Sequence, residues 1–423
     1  MTVATLGARP KILFFAPILE YPPAGGPQIS VVNAVKVLHQ ISELHIVTTV
    51  PIDRAEAEET ARFFKAHSHA LVQAPTSKLS VKGKILGRLL RLFRRLAAPI
   101  LAKSDGRYVV QYANAYGIDI FWVDRVLEYA FAVFAELRRL RPAAMIVGDT
   151  CSVYSRFVLR ELPLVSNPLR RLKIKIRGRK KLREEHILTA LADVVTAVSE
   201  LDAQYFRSIA PNPDRVKLFS NVIDLRDYAA DEQQVVHPDR LSLLLLGSFG
   251  HQNSPMDRAA KWMAKEVMPL VLREVPSAHL YIIGRNADKT QANLRSDAIT
   301  VVGQIPSVVP FLRQAAATLV PLRFESGTRF KILESGAASV PCISTALGAE
   351  GIGVTDKVNI IIADTAEEFA AAIVRVLRDP AYARLLGRRL HDLVAERYSL
   401  DTQKREGQSI IHFLKECSLV RTS

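Results

Sequence analysis

Only three cysteines occur in 423 residues, Cys151, Cys342 and Cys417, and they lie far apart. That spacing supplies neither a disulfide framework nor a metal knuckle, and free thiols in a reducing compartment are the simplest reading. No apolar run is long enough to span a bilayer. The early run Ile12 to Leu19 is broken by Pro17, and a glycine-bearing turn and a helical pattern follow it. A buried first strand therefore explains it better than the core of a cleaved signal. The chain has no Gly-x-Ser-x-Gly elbow, no Walker-type phosphate loop and no Gly-x-Gly-x-x-Gly after the first strand. These gaps argue against an ordinary hydrolase, NTPase or dinucleotide enzyme. Its ten histidines suggest no metal site. His67 and His69 are the closest pair, with no cysteine or carboxylate beside them in sequence to complete a ligand set.

Acidic charge is also short. There are 57 Lys+Arg against 42 Asp+Glu, a formal net charge of +15. Through residue 235 the balance is 34 against 23, or +11, and beyond it 23 against 19, or +4. An excess held mainly in the first half points to an anionic partner there. Two stretches carry it. In residues 84–97, Leu86, Leu89, Leu90, Phe93 and Ala97 share one helical face, with Lys84, Arg88, Arg91 and Arg95 opposite. Residues 170–183 hold nine Lys or Arg side chains. Both stretches suit either an anionic membrane surface or a solvated basic face. Nucleic acid is not an expected partner, because single strands need aromatic platforms beside the cations and only Phe93 offers one.

The remaining pattern is a βα alternation that occurs twice. Lys11–Pro17 is a largely apolar strand, a turn-rich loop runs from Tyr21 to Pro27, Ile29–Leu38 is helical, and Leu44–Val50 is a second strand. Further strands are expected at Ala143–Val147, Asp193–Val198 and Val216–Phe219. The polar run Asp231 to Gln234 reads as a linker. The alternation then restarts with strands at Leu241–Leu246, Leu280–Ile283, Ile299–Val302, Ala317–Val320, Pro341–Ile343 and Ile360–Ile362. Helices are expected at Met256–Arg273, Val308–Gln314, Thr328–Ala337, Ala366–Arg378 and Tyr382–Glu396. The fold class is α/β, with two Rossmann-like doubly wound domains facing a central cleft. We expect the domains to cover residues 1–232 and 233–398, with a final helix in 399–423 packing back on the first.

One segment concentrates chemistry: Ser326-Gly327-Thr328-Arg329-Phe330-Lys331-Ile332-Leu333-Glu334. It lies where a strand ends and a helix begins. Free N–H groups at a helix start attract anions. Arg329 and Lys331 place positive charge there, against the preference of the helix dipole unless an anion compensates them. Glu334 suits ribose hydroxyls. The bland alternative is a solvated basic turn on a surface helix. In the first half, Asp149 ends a strand, where it either orients or deprotonates an acceptor hydroxyl or simply caps a helix.

This segment resembles the signature of the retaining family 4 (group 1) glycosyltransferases. So do Leu246-Gly247-Ser248, Ile283-Gly284-Arg285, Val302-Gly303, Ser344 to Ile352, Glu396-Arg397-Tyr398-Ser399, Ala197 to Glu200 and the Pro-Pro-x-Gly-Gly loop at Pro22 to Gly26. The resemblance implies a GT-B fold, with a nucleotide diphosphate sugar on the second domain and a glycan or lipid-linked acceptor on the first. It implies that Arg329 and Lys331 neutralise the leaving diphosphate and that Glu334 holds the ribose. Gly25, Gly26 and Gly247 would let backbone approach the donor, and Ser248, Arg285, Ser326, Gly327 and Thr328 would complete its site. It further implies retention at the anomeric carbon without metal or cofactor, and the chain has no Asp-x-Asp motif. Two departures stand out. Ser326 occupies the position of a first glutamate, with Glu325 one place early, and the Ser220 to Asp224 loop keeps only Asn221 and Asp224 of the usual pattern. Another GT-B enzyme, such as a sugar-nucleotide epimerase, and a non-catalytic membrane-surface protein on the same fold are the alternatives. A cytoplasmic chain, peripheral on the inner face of a membrane, is the expected location.

Overall fold

The computed structural model describes residues 9–53, 57–75, 84–126, 128–229, 241–250 and 253–422, without the side chains of 84–99, 128 and 418–422. The expected linker at 231–234, the 232/233 boundary and the apolar and basic faces of 84–97 lie outside that description.

The first domain holds a seven-stranded sheet in the order β3-β2-β1-β4-β5-β6-β7. Its strands are β1 Lys11–Ala16, β2 Glu43–Thr48, β3 Ala70–Gln73, β4 Ile120–Val123, β5 Met145–Gly148, β6 Val194–Ala197 and β7 Val216–Leu218. The second domain holds six strands in the order β10-β9-β8-β11-β12-β13. These are β8 Leu241–Leu246, β9 Ala278–Ile283, β10 Ile299–Gly303, β11 Ala315–Val320, β12 Cys342–Ser344 and β13 Ile361–Ile362. Every strand pairing is parallel. Helices cover both faces of such a sheet, which is why its central strands are apolar without alternation. Ile12, Leu13, Phe14, Phe15 and Ala16 are all fully buried, and so are Leu243 and Leu245.

The sequence pattern did not reveal β3 and β4. Both span four residues, and β4 follows a helix running from Lys84 to Tyr116. The expected helix Met256–Arg273 is interrupted. It runs Pro255–Trp262, widens into a π-type turn at Met263–Val267, and resumes as Met268–Glu274. Pro269 lacks an N–H and cannot join a regular i→i−4 ladder.

Strand order reverses between β1 and β4 in one sheet and between β8 and β11 in the other. In open α/β sheets ligands bind at the carboxyl ends of strands flanking such a reversal. The final helix, Leu400–Thr422, packs on the first domain. Ile410, Ile411 and Leu414 join the core formed by Ile12, Val35 and Leu38. Gly407 permits that packing, since a Cβ there would lie 2.9 Å from Ile41 Cδ1. Gln403 and Glu406 bond to Ser220, and Ile223 N–H donates to the Tyr398 carbonyl at 2.8 Å. The Ser220 to Ile223 loop is thereby tied to the start of the final helix and the turn that precedes it. Among the described residues no helix is long and apolar enough to cross a membrane.

Candidate active site

The loops at the two reversal points meet across one cavity of about 710 Å³, a size typical of small-molecule sites. Tyr21 to Pro27 line it from the first domain; Leu246 to Ser248, Ile283 to Arg285 and the Glu325 to Glu334 segment line it from the second.

The anion-binding segment starts later than the pattern suggests. The helix is Phe330–Ala337, so Arg329 holds its N-cap position and Glu334 lies little more than one turn in. No side chain caps this helix start, which leaves first-turn N–H groups open. Arg329 is only 4% exposed. One of its terminal nitrogens donates to the Leu347 carbonyl at 3.0 Å, while Nε and Nη1 are buried without a partner. Lys331 lines the cavity and feels Glu325 and Glu334 without a hydrogen bond or ion pair to either. Burial pushes the pKa of both cations down. Burying a charge without a direct partner is costly. Although Glu325 and Glu334 act on Lys331, and Glu325, Glu350 and Asp202 on Arg329, two cations on one wall without a direct ion pair suit an anion between them.

Glu334 accepts a hydrogen bond from the Tyr228 hydroxyl at 3.0 Å. Burial pushes its carboxyl up, against the Tyr228 bond and the Lys331 charge. Glu325, one place early in the pattern, also reaches the cavity wall. Burial raises its pKa too, opposed by Arg329 and Lys331. Ser326 Oγ is buried and unpaired, and Thr328 Oγ1 donates to the Val198 carbonyl at 3.3 Å. Ser248 faces the cavity at the end of β8.

Gly25, Gly26 and Gly247 line the cavity. Gly327 does not line the cavity. Its φ is +84°, and a Cβ there would lie 2.7 Å from the Cys151 carbonyl of the first domain. A Cβ on Gly26 would lie 2.8 Å from Phe330 Cδ2, and one on Gly25 3.5 Å from Ser248 Oγ. Gly26 and Gly327 let one domain's loops approach the other's, whereas a side chain at Gly25 would make only an ordinary contact. Gly247 is buttressed by Gly284, whose φ is +141° and whose missing Cβ would sit 1.7 Å from the Gly247 carbonyl oxygen. Arg285 spans the cleft to Glu20, with Nη2 2.5 Å from its carboxylate.

Asp149 is placed behind the cavity wall rather than on it. It accepts from Trp122 Nε1 at 2.9 Å and from the Thr196 hydroxyl. Those bonds engage both carboxylate oxygens and hold Asp149 behind the wall of the cavity. Its pKa is pushed up by burial. Arg125, which the sequence did not flag, lines the cavity instead, bonded to Cys151 Sγ and the Pro27 carbonyl. Asn221 and Asp224, retained from the departing loop, line it as well. Asp224 bonds Lys36 at 2.8 Å, and Asn221 accepts from Ser30.

The histidine expectation needs correction. His67 bonds the Phe63 carbonyl, whereas His69 sits with His45 and Glu43 at the far end of the first sheet. His45 bonds Glu43 at 3.1 Å and Tyr112 at 2.9 Å. The carboxylate missing from the local sequence is thus supplied by a neighbouring strand.

Residues 240–379 match the family model described as "Glycosyl transferases group 1". The second domain therefore carries the sequence pattern of that family, as its motifs implied, and the two-domain architecture is GT-B. No curated protein matches the chain by sequence. Among solved structures, sucrose-phosphate synthase from Thermosynechococcus elongatus aligns with a TM-score of 0.71 at 17% identity, covering 97% of this chain and 100% of that one. HepE from Anabaena, in complex with UDP and glucose, aligns at 0.66 and 13%, covering 95% and 99%. A glycosyltransferase from Rickettsia africae aligns at 0.64 and 12%, covering 96% and 99%.

Proposed function

We propose that the chain transfers a sugar from a nucleotide diphosphate sugar to a glycan or lipid-linked acceptor, with retention at the anomeric carbon and without a metal or cofactor. The observation that carries this reading is a pair of cations on the wall of the interdomain cavity, Arg329 with two buried nitrogens lacking a hydrogen-bond partner and Lys331 beside it, with Glu334 on the same short helix. In this reading the diphosphate lies against Arg329, Lys331 and the open N–H groups of the helix start. Glu334, oriented by Tyr228, accepts from the ribose hydroxyls. As the bond between the anomeric carbon and the diphosphate oxygen breaks, negative charge grows on the diphosphate, where the cations are already in place. The acceptor oxygen bonds to the same face of the sugar, and its proton passes to the departing diphosphate. HepE, seen with UDP and glucose on a similar fold, supports a nucleotide sugar as donor.

The basic first domain fits a cytoplasmic enzyme held peripherally at an anionic inner membrane face through residues 84–97 and 170–183. The experiment is a thermal-shift panel of UDP, GDP, ADP, TDP and CMP on wild type and Glu334→Ala. A nucleotide at about a hundred times its Kd adds roughly 2.7 kcal/mol. One nucleotide stabilising the wild type and much less the variant supports the donor site and names its base. No shift with any nucleotide, together with strong binding to anionic vesicles, overturns the transferase reading in favour of a membrane-binding protein.

A further inference from the structure

Beside the donor cavity lies a second cavity of about 150 Å³, lined by Phe157, Glu161, Arg170, Lys173, Ile174 and Arg177 among others, with Phe324 reaching in from the second domain. Phe157 lines both cavities. At about 30 Å³ per water, the space holds roughly five waters, enough for a phosphate or diphosphate. Its basic wall is the helix Pro168–Leu191. Arg170 is paired with Glu161. Lys173 and Arg177, one turn apart, have no hydrogen-bond or ion-pair partner among the described residues.

The same helix exposes an apolar stripe. Leu169, Leu172 and Ile176 are 71%, 55% and 60% exposed. At about 100° per residue they fall within an arc of about 60°, and Lys173 and Arg177 flank them on the side turned to the cavity. One helix therefore presents uncompensated cations and bare aliphatic side chains next to one another, at the rim of the donor cavity. A soluble sugar phosphate would use the cations and leave the stripe in water. A lipid phosphate would use both.

We propose that this cavity and stripe form the acceptor site for a phosphate or diphosphate carried on an apolar chain, with Lys173 and Arg177 holding the head and Leu169, Leu172 and Ile176 meeting the chain. The inference rests on the transferase reading and names its acceptor class. An acceptor anchored there would direct its polar end past Phe157 into the donor cavity.

Farnesyl diphosphate is the probe, titrated calorimetrically into the full chain, with inorganic pyrophosphate as the head alone. Lys173→Ala/Arg177→Ala should weaken farnesyl diphosphate at least tenfold. Leu172→Ser/Ile176→Ser should weaken it by a similar factor and leave pyrophosphate unchanged. All four positions are exposed, so the fold tolerates these changes. Lys331→Ala should lose nucleotide and keep farnesyl diphosphate. Pyrophosphate binding as tightly as farnesyl diphosphate would mean a bare phosphate site and overturn the proposal. So would loss of farnesyl diphosphate in Lys331→Ala, which would place it in the donor cavity, or indifference to Lys173→Ala/Arg177→Ala. A chain that binds farnesyl diphosphate through this helix yet no nucleotide sinks the transferase reading and the acceptor role with it, leaving a lipid-phosphate site. The reverse result sinks this inference alone.

Discussion

Arg160 of the first domain donates from both terminal nitrogens to the Glu350 carboxylate of the second, at 2.6 and 2.7 Å, and one of those nitrogens also reaches the Glu325 carbonyl at 2.8 Å. One side chain thus ties the anion-binding loop to the opposite domain. Burial tends to raise the Glu350 pKa, but Arg160, aided by Arg156 and Arg329, outweighs it and holds the carboxyl below its usual value. Arg160→Ala should lower stability by about 1 kcal/mol, the pair being partly exposed, and should enlarge the radius of gyration in small-angle scattering without ligand. Unchanged scattering would show that the other crossings alone hold the domains together.

The contact between Gly26 and Phe330 predicts a rescue. Gly26→Ala would place a methyl 2.8 Å from the ring, forcing loop and helix apart and weakening nucleotide binding roughly tenfold if the cavity opens by a few tenths of an ångström. Phe330→Leu in the same chain should recover much of that affinity. A double-mutant cycle on nucleotide Kd measures this coupling, and simple additivity would rule the contact out.

Lys331 is buried beside Glu325 and Glu334 without an ion pair to either, so its ammonium carries a desolvation cost that a bound anion would offset. Lys331→Met should raise the melting temperature of the ligand-free protein, by roughly 1–2 kcal/mol of relieved desolvation, and abolish the stabilisation by nucleotide. A less stable Lys331→Met would show that the ammonium is already compensated.

The same lysine predicts a pH dependence. Burial lowers its pKa in the empty cavity, and a bound diphosphate favours the ammonium and raises it again. Between those two values binding takes up a proton, so nucleotide affinity should fall as pH rises through that window. Calorimetry in buffers of different ionisation enthalpy reads the proton directly, and Lys331→Met should remove it.

Asp224 carries an acid-side signature. Burial raises its pKa, but bonds from Arg226 and Lys36 prevail and bring it down to about 2. A carboxylate held low in the folded state contributes stability above its unfolded value near 4, lost as pH falls towards 2. Lys36→Ala should remove part of roughly 2 kcal/mol at neutral pH and flatten the acid limb of the stability curve between pH 4 and 2. An unchanged acid limb would mean that Arg226 alone depresses Asp224.

Strands buried on both faces write themselves into the chain as unbroken apolar runs, which is why β1, β8 and β11 were legible. β3 and β4 were not: β3 is an edge strand only half buried, and the short apolar run of β4 lies between two helical stretches, where periodicity cannot tell a strand from a buried helix segment. Arg329, Lys331 and Glu334 could be singled out because a helix start attracts anions and these charges oppose its dipole. Arg125, Tyr228 and Glu20 carried no local signal. They reach the cavity or its partners from other strands and loops.

The sequence by itself determined the two α/β domains and the charged segment at the end of β11, since both rest on local periodicity and on chemistry within a few neighbouring residues. Tertiary structure alone decided that Asp149 is locked behind Trp122 and Thr196 while Arg125 faces the cavity. It also decided that Gly26 and Gly327 serve the approach of two domains, and that Lys173 and Arg177 stand beside bare leucines at the cleft. Each of these depends on which distant backbones touch, and contact across a hundred residues or more leaves no period in the chain.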